Sequence, residues 1–182
     1  MQEDIHKKLV ERCIRGERKA QFELYKLYSK AMFNISYRML NNKSDAEDML
    51  QEVFTDIFTR IHSFRFDSTI GAWIKRITVN KCINEINRKK TNLNFVEDIS
   101  VFDKGEYVEE ENIPLSVENV KTAMEQLPNG SRIIFSLYLL EGYDHEEISQ
   151  ILNISESTSK TQYMRAKQKV KELLKPQLYE TR

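Results

Sequence analysis

The sequence predicts an all-α protein: two small helical domains joined by an acidic linker, with a helix-turn-helix in the C-terminal domain. Glycine (5) and proline (3) are scarce among the 182 residues, as is typical of helical folds. Apolar residues recur at helical spacing on both sides of an acidic segment that lacks this periodicity. These observations place one domain at 1–90, the linker at 91–116 and the second domain at 117–182.

The first forty residues carry apolar side chains three and four positions apart, which predicts helices that bury one face. Gly16 interrupts the pattern, and we expect it to separate two helices. Most of the apolar residues here are expected to be core residues and nothing more, including Phe22, Leu24, Leu27, Met32, Ile35 and Met39.

The next helix has a capping signal and two contrasting faces. Ser44 is followed three residues later by Glu47, which predicts a capping box at the helix start. A continuous apolar stripe from Ala46 to Ile61 predicts the buried face. The opposite face is polar and acidic, and taken alone this pattern is typical of a solvated surface; it comprises Asp48, Gln51, Glu52, Thr55, Asp56 and Thr59.

An aromatic loop at 62–68 precedes a basic helix predicted over 69–90. Aromatic rings stack on exposed bases and cations follow the phosphates, so Phe64 and Phe66 beside this helix suit single-stranded nucleic acid. The alternative, that both phenylalanines fold back onto the core, stays open, and for Trp73 the core is the preferred interpretation. The polar residues expected on the outer face of the helix are Arg76, Asn80, Lys81, Asn84, Asn87 and Arg88.

The charges balance overall but are segregated along the chain. Lys and Arg total 28, as do Asp and Glu, whereas a protein that held duplex DNA alone would usually carry a basic excess. The stretches 75–90 and 160–175 are basic, and 97–111 is acidic. This arrangement indicates two nucleic-acid contacts and a large partner that strengthens weak intrinsic binding.

The C-terminal part predicts a short helix, a tight turn and a longer basic helix. Asp144 with Glu147 forms a capping box, and Ser155 can cap a last helix that runs to Leu174. This arrangement places a recognition helix in the major groove of DNA. The polar residues expected to meet bases and phosphates are Ser157, Thr158, Lys160, Thr161, Gln162 and Arg165.

No pattern in the sequence predicts catalysis, a metal site or a cofactor. There is no glycine-rich phosphate loop, no HExxH motif and no cluster of Cys and His ligands. We interpret the three histidines, His6, His62 and His145, as exposed, and the two cysteines, Cys13 and Cys82, as unpaired. The acidic N-terminus does not resemble a signal peptide, and no apolar run approaches the roughly 20 residues that cross a bilayer, so we expect a cytoplasmic protein without membrane insertion.

Three ordered motifs resemble bacterial RNA polymerase sigma factors. Residues 45–54, DAEDMLQEVF, are similar to the family's DAEDLxQExF helix. Residues 64–80 resemble its promoter-melting segment, and residues 142–167 resemble its C-terminal helix-turn-helix. The absence of a further domain between the two parts indicates the extracytoplasmic-function (ECF) type.

The resemblance implies core RNA polymerase, promoter DNA and an anti-sigma factor as partners. The acidic face would dock on the clamp coiled coil of the largest polymerase subunit, and the polymerase flap would be a further contact. The linker would thread toward the active centre and the RNA-exit channel. The docking residues implied are Asp48, Gln51, Glu52 and Thr55.

The resemblance also implies two promoter contacts. Phe64, Ile77 and Asn80 would form a pocket for a base flipped from the minus-ten element, where stacking and edge hydrogen bonds offset a cost of a few kcal/mol. Nearby phosphates would be held by Arg76, Lys81 and Arg88. The residues implied in binding the minus-thirty-five element are Thr158, Lys160, Thr161, Met164 and Arg165.

The recognition helix departs from the family pattern. Ser159 stands where a buried apolar residue is usual, and Gln162 stands where a cation is common. Asn84 stands where an acidic residue is common, so the promoter sequence cannot be carried over. The alternatives are a stand-alone helix-turn-helix regulator and a structural helical adaptor, and the acidic capped helix with the aromatic-basic segment favours the sigma factor.

Overall fold

A computed structural model describes residues 6–89 and 117–174, and all structural statements below concern these two ranges. The predicted all-α fold is confirmed: the described residues form eight α-helices and no strand. The chain separates into two compact units, Met1–Thr91 and Asn92–Arg182. The predicted linker at 91–116 lies outside the described residues.

The N-terminal unit contains four helices and a short 3₁₀ turn. Gly16 lies between the first two helices with a φ of 78°, a left-handed conformation that glycine adopts without strain, so the expected break at this residue is confirmed. The core forms where the second, third and fourth helices meet. The elements are α1 (Lys7–Ile14), α2 (Arg18–Leu40), α3 (Lys43–Arg60), the 3₁₀ turn Ile61–Ser63 and α4 (Ile70–Arg88).

Two expectations about this unit are wrong. The capping residue of α3 is Asn42 and not Ser44, because the Asn42 Oδ1 accepts a hydrogen bond from the Asp45 backbone N–H at 3.0 Å. Phe22 and Leu27 are not core residues, since they are 58% and 53% exposed. The helix α2 contacts α1, α3 and α4, and its buried residues lie at positions other than these two.

The C-terminal unit is built around its last helix, α8 (Glu156–Leu174), which contacts α5 (Val117–Glu125), α6 (Asn129–Leu139) and α7 (His145–Leu152). Arg132 is buried and donates hydrogen bonds to the Leu127 carbonyl at 3.2 Å and to the Asn129 Oδ1 at 2.9 Å. These bonds tie the end of α5 to the start of α6.

The predicted helix-turn-helix is confirmed. Asp144 and Glu147 form a reciprocal capping box at the start of α7, with hydrogen bonds of 2.8 and 2.9 Å. Asn153 ends α7 in the left-handed conformation, and the Ser155 Oγ accepts from the Thr158 N–H at 3.0 Å to cap α8.

None of the helices in the described residues is long and apolar enough to cross a membrane.

Candidate functional site

The acidic side of α3 forms an open depression, which we call the acidic groove. The four predicted docking residues, Asp48, Gln51, Glu52 and Thr55, are exposed and line it together. The Thr55 hydroxyl donates to the Gln51 carbonyl at 2.8 Å, which leaves the carboxylates as the outward polar groups. The remaining lining residues are Asp56, Thr59 and Lys81.

Two of the predicted phosphate ligands already have carboxylate partners. The Lys81 Nζ lies 3.8 Å from the Asp56 carboxylate. The Arg88 guanidinium donates two hydrogen bonds of 2.8 Å to Glu85; these bonds, together with the Glu85 charge and the more distant Glu52 charge, raise the pKa of Arg88. Ion pairs at a protein surface are weak, so a phosphate can compete with these carboxylates. Phosphate binding by Lys81 and Arg88 therefore stays a prediction.

The aromatic loop places its two phenylalanines differently. Phe64 is only 6% exposed, and its ring centroid lies 4.8 Å from that of Phe66 and 5.4 Å from that of Trp73. Phe66 and Trp73 are half-buried. Phe64 is therefore folded onto the core, which is the alternative that the sequence leaves open. A base could stack on Phe64 only if Phe66 or Trp73 moved.

The outer face of α4 carries the other predicted minus-ten residues. Arg76 and Asn80 are exposed and Ile77 is half-buried. Trp73 connects the group, because its ring packs on Phe64 and it precedes Ile77 by one helical turn. Phe64 thus packs on Trp73, one turn before Ile77, and Asn80 follows Ile77 by three positions on α4; a pocket shared by Phe64, Ile77 and Asn80 stays a prediction.

The exposed face of α8 carries the predicted duplex contacts. Lys160 and Met164 are exposed, and Thr158, Thr161 and Arg165 are half-buried. Lys160 forms an ion pair of 2.6 Å with Glu156 at the first turn of the helix. Met164 is 49% exposed, and it places an apolar side chain on a polar helix face.

Gln162 is buried, contrary to the expectation that this polar side chain meets bases or phosphates. It is only 5% exposed, and its Oε1 accepts a hydrogen bond of 2.8 Å from the Ser131 hydroxyl on α6. Ser159, Gln162, Ala166 and Val170 form the buried stripe of α8. Their spacing of three, four and four is the sequence signal that would have placed Gln162 inside.

The interpretation of His145 as an exposed residue is wrong. Its ring is half-buried and stacks on the ring of Tyr138, with the two ring centroids 4.4 Å apart. The ring centroid of Tyr163 lies 5.7 Å from that of His145. Its Nδ1 lies 2.9 Å from the Oγ of Ser159, so this buried hydroxyl has a partner. Burial lowers the pKa of His145, and the charge of Lys160 lowers it further.

Neither cysteine is placed for chemistry. Cys13 and Cys82 are unpaired and buried. Burial raises the pKa of Cys13 to about 11 and that of Cys82 to about 12, so both remain thiols at neutral pH. Within 6–89 and 117–174, no group of three or more His, Cys, Asp or Glu side chains could hold a metal ion.

Comparison with known proteins relates both units to one family. The family model described as Sigma-70 region 2 matches residues 24–91 of the chain, and the one described as Sigma-70, region 4 matches residues 118–170. The ECF RNA polymerase sigma factor SigM of Bacillus subtilis is 30% identical over 154 residues, which span 83% of this chain and 93% of that protein. This chain belongs to the ECF sigma factors. A second relative, SigW of Bacillus subtilis, is 26% identical over 180 residues, which span 93% of this chain and 96% of SigW.

Two solved structures share the fold of this ECF sigma factor. One is the sigma factor RpoE in complex with the anti-sigma factor NepR from Bartonella quintana, with a TM-score of 0.56, 20% identity, and coverage of 84% of this chain and 95% of RpoE. The other is CnrH in complex with the cytosolic domain of CnrY, with a TM-score of 0.54, 20% identity, and coverage of 92% of this chain and 96% of CnrH. Membership of the family means that the chain directs transcription initiation, and a stand-alone regulator is not favoured.

Proposed function

We propose that this sigma factor uses its three exposed surfaces for three separate contacts in transcription initiation. The acidic groove docks on the clamp coiled coil of the polymerase, the loop and outer face of α4 bind the minus-ten element, and α8 binds the minus-thirty-five element. The protein acts through binding and catalyses no reaction itself. The observation that carries the proposal is that anionic and cationic surfaces lie on different helices, α3 and α8, within the two units that match regions 2 and 4.

Docking through the acidic groove rests on charge and rigidity. Asp48 and Glu52 are one turn apart on a helix whose opposite side is buried, so their positions are fixed before binding. A basic partner surface is steered toward such a fixed pair of charges, and a like charge is repelled. The half-buried Asp56 holds Lys81 and Arg60 at the edge of the groove, with ion pairs of 3.8 and 3.0 Å.

Binding of the minus-ten element combines stacking, hydrogen bonding and charge. The exposed amide of Asn80 has two donors and an acceptor for the edge of a base, and Ile77 offers an apolar wall one turn away. Arg76 is exposed at the same side of α4 and suits a phosphate. Phe64 joins this pocket once the neighbouring rings of the loop shift.

Binding of the minus-thirty-five element uses α8 in the major groove. Lys160 and Thr161 supply hydrogen-bond donors to base edges, and Met164 supplies an apolar contact suited to a thymine methyl group. Thr158 and Arg165 flank this set and suit phosphates. Gln162 has no part in the contact, because its amide is used inside the unit.

The remaining proposals concern partners and location. RpoE was solved in complex with the anti-sigma factor NepR, and CnrH in complex with the cytosolic domain of CnrY. We extend this to an anti-sigma factor for the present chain, which would cover the same polymerase-facing and DNA-facing surfaces. The acidic stretch within 91–116 would thread toward the active centre and the RNA-exit channel of the polymerase, where negative charge suits a basic, nucleic-acid-lined path, and the protein would work in the cytoplasm.

The test is transcription in vitro with purified core polymerase and a library of randomised promoters. Addition of the wild-type chain should give promoter-specific RNA. Binding of the chain to DNA alone, without core binding, would instead support the stand-alone regulator.

A matched pair of charge reversals tests the acidic groove. Glu52→Lys should weaken core binding about tenfold, the scale of a like charge placed in a charged interface. Glu47→Lys makes the same change on the same helix, but Glu47 does not line the groove, and its core affinity should stay near wild type. Equal core affinities for the two variants would exclude the groove as the docking surface.

A further inference from the structure

Phe66, and not Phe64, presents the accessible aromatic ring of the loop. Phe64 is buried between Phe66 and Trp73, while Phe66 is half-buried. The Phe66 ring packs on that of Phe64, with the ring centroids 4.8 Å apart and the planes tilted by 58°. Of the two rings, that of Phe66 is therefore the more accessible to a base.

The backbone at Phe66 is held in an unfavourable conformation. Its φ is 61°, in the left-handed region that bulky residues seldom adopt. Such conformations persist where the surrounding structure imposes them, and they cluster at binding sites. The ring of the residue in this conformation is the one that packs on Phe64.

A cation from a distant part of the sequence covers this ring. Lys7, at the start of α1, has its Nζ 6.0 Å from the centre of the Phe66 ring, at the outer limit of a cation–π contact. The helix α1 also packs against the 3₁₀ turn that leads into the loop, so its position relative to the loop is fixed. Lys7 itself is exposed.

The surroundings suit an anionic, aromatic ligand. Arg65 next to Phe66 is exposed, and Arg76 is exposed on the nearby helix. Asp67, which follows Phe66 in the chain, is an exposed carboxylate, so the three cations Lys7, Arg65 and Arg76 are set against one negative charge. Single-stranded nucleic acid, with its alternating rings and phosphates, is the ligand that an aromatic ring flanked by cations binds.

We propose that Phe66 and Lys7 form a second contact for the displaced DNA strand, next to the pocket of Phe64, Ile77 and Asn80. A neighbouring base stacks on Phe66 and takes the place of the Lys7 ammonium. The flexible four-carbon stem of Lys7 then carries the ammonium to the adjoining phosphate. This proposal rests on the proposed function of the N-terminal unit, because it assumes that the strand lies there.

The experiment uses holoenzyme assembled from core polymerase and the full chain. The probe is the single-stranded non-template oligonucleotide of a promoter that the wild-type holoenzyme selects from a random library. Its affinity is measured by fluorescence anisotropy over a range of salt concentrations, together with the affinity of each variant for core and its unfolding midpoint.

Phe66 is tested by exchanging its ring. Phe66→Leu keeps an apolar side chain and removes the stacking surface, so affinity for the strand should fall about tenfold, within the range expected for one stacked base. Phe66→Tyr keeps the ring and should stay within about twofold of wild type. An affinity of Phe66→Leu equal to that of wild type overturns the stacking contact.

Lys7 is tested against its neighbour. Lys7→Gln should lower the slope of log affinity against log salt by about 0.7, the change for one phosphate contact on a single strand. Lys8→Gln removes an equally exposed charge from the same helix and should leave the slope unchanged. Equal slopes for both variants overturn the phosphate contact, and this decides the proposal even if Phe66→Leu does not fold. If the wild-type chain selects no promoter with core polymerase, the proposed function fails instead.

Discussion

The two units present their candidate DNA contacts in opposite ways. In the C-terminal unit, α8 already exposes Lys160 and Met164, and its buried side carries the packing. In the N-terminal unit, the ring expected to stack on a flipped base, that of Phe64, is buried between Phe66 and Trp73. The difference matches the two proposed ligands. A duplex accepts a preformed helix without rearrangement, whereas a flipped base needs a pocket that opens as the base enters.

The largest expected effect is on the free energy of unfolding, and it should distinguish the buried Phe64 from the exposed Met164. Phe64→Ala should lower the free energy of unfolding of the N-terminal unit by about 3 kcal/mol, because it removes a buried ring. Met164→Ala should change stability by less than about 0.5 kcal/mol, because the side chain is about half exposed. Denaturant unfolding of the two full-length variants measures both. Similar stabilities would show that Phe64 is already available in the free protein, and the contrast between the units would disappear.

The intermediate effect concerns two polar residues of α8 that are two positions apart. Gln162→Ala should destabilise the C-terminal unit by about 1–3 kcal/mol, because it leaves the buried Ser131 hydroxyl without its acceptor. It should leave the affinity of the folded protein for promoter DNA unchanged at a fixed salt concentration. Lys160→Ala should do the reverse: stability stays near wild type, and the slope of log affinity against log salt falls by about 0.9, because an ammonium at the base edges also displaces one counterion. A lower promoter affinity of folded Gln162→Ala at the same salt concentration would return that residue to the DNA face.

The smallest effect is a pH dependence confined to the C-terminal unit. Because the pKa of His145 is lowered in the folded state, the unfolded chain binds the proton more tightly. The stabilisation is therefore complete above the ordinary histidine pKa of about 6.5 and is lost as pH falls below it. Hydrogen exchange of the α7 and α8 amides should accelerate, after correction for the intrinsic pH dependence, between pH 7.5 and 5.5.

The control for this effect is His145→Gln, which retains a polar side chain beside Ser159 without a titrating ring. Its corrected exchange should depend less on pH than that of the wild type. The charged groups near the ring are Lys160, Glu156 and Asp144, and all three are retained in the variant. The same pH dependence in both proteins would assign the effect to another group.

Several features of the fold could be predicted because they depend on neighbours in the sequence. The capping box of Asp144 and Glu147 joins residues three positions apart, and Gly16 needs only its own left-handed backbone. The Ser44 cap was wrong for a local reason: Asn42 competes for the same helix end, and its side chain reaches the Asp45 N–H. Local patterns thus fix the existence of helices more firmly than their first residue.

The candidate site could be predicted only in part. The resemblance to sigma factors singled out the acidic side of α3, whose four predicted residues are exposed, and the outer face of α8, where Lys160 and Met164 are exposed and the other three predicted residues are half-buried. The spacing along α4 already turns Lys81 and Arg88 away from Arg76, but only the packing of α4 beside α3 shows that Lys81 lies against Asp56 and lines the acidic groove. Nothing in the sequence placed Lys7 over Phe66, which lies 59 positions further along the chain.

The sequence by itself determined the helical class, the helix-turn-helix and the family, because periodic apolar residues, caps and ordered motifs are properties of short segments. Tertiary structure alone decided which polar and aromatic groups are available to a partner. Gln162 turns inward because Ser131, 31 positions away, offers its hydroxyl, and His145 is stacked because Tyr138 and Tyr163 close around it. Burial is a property of helices brought together by packing, and no single segment contains that information.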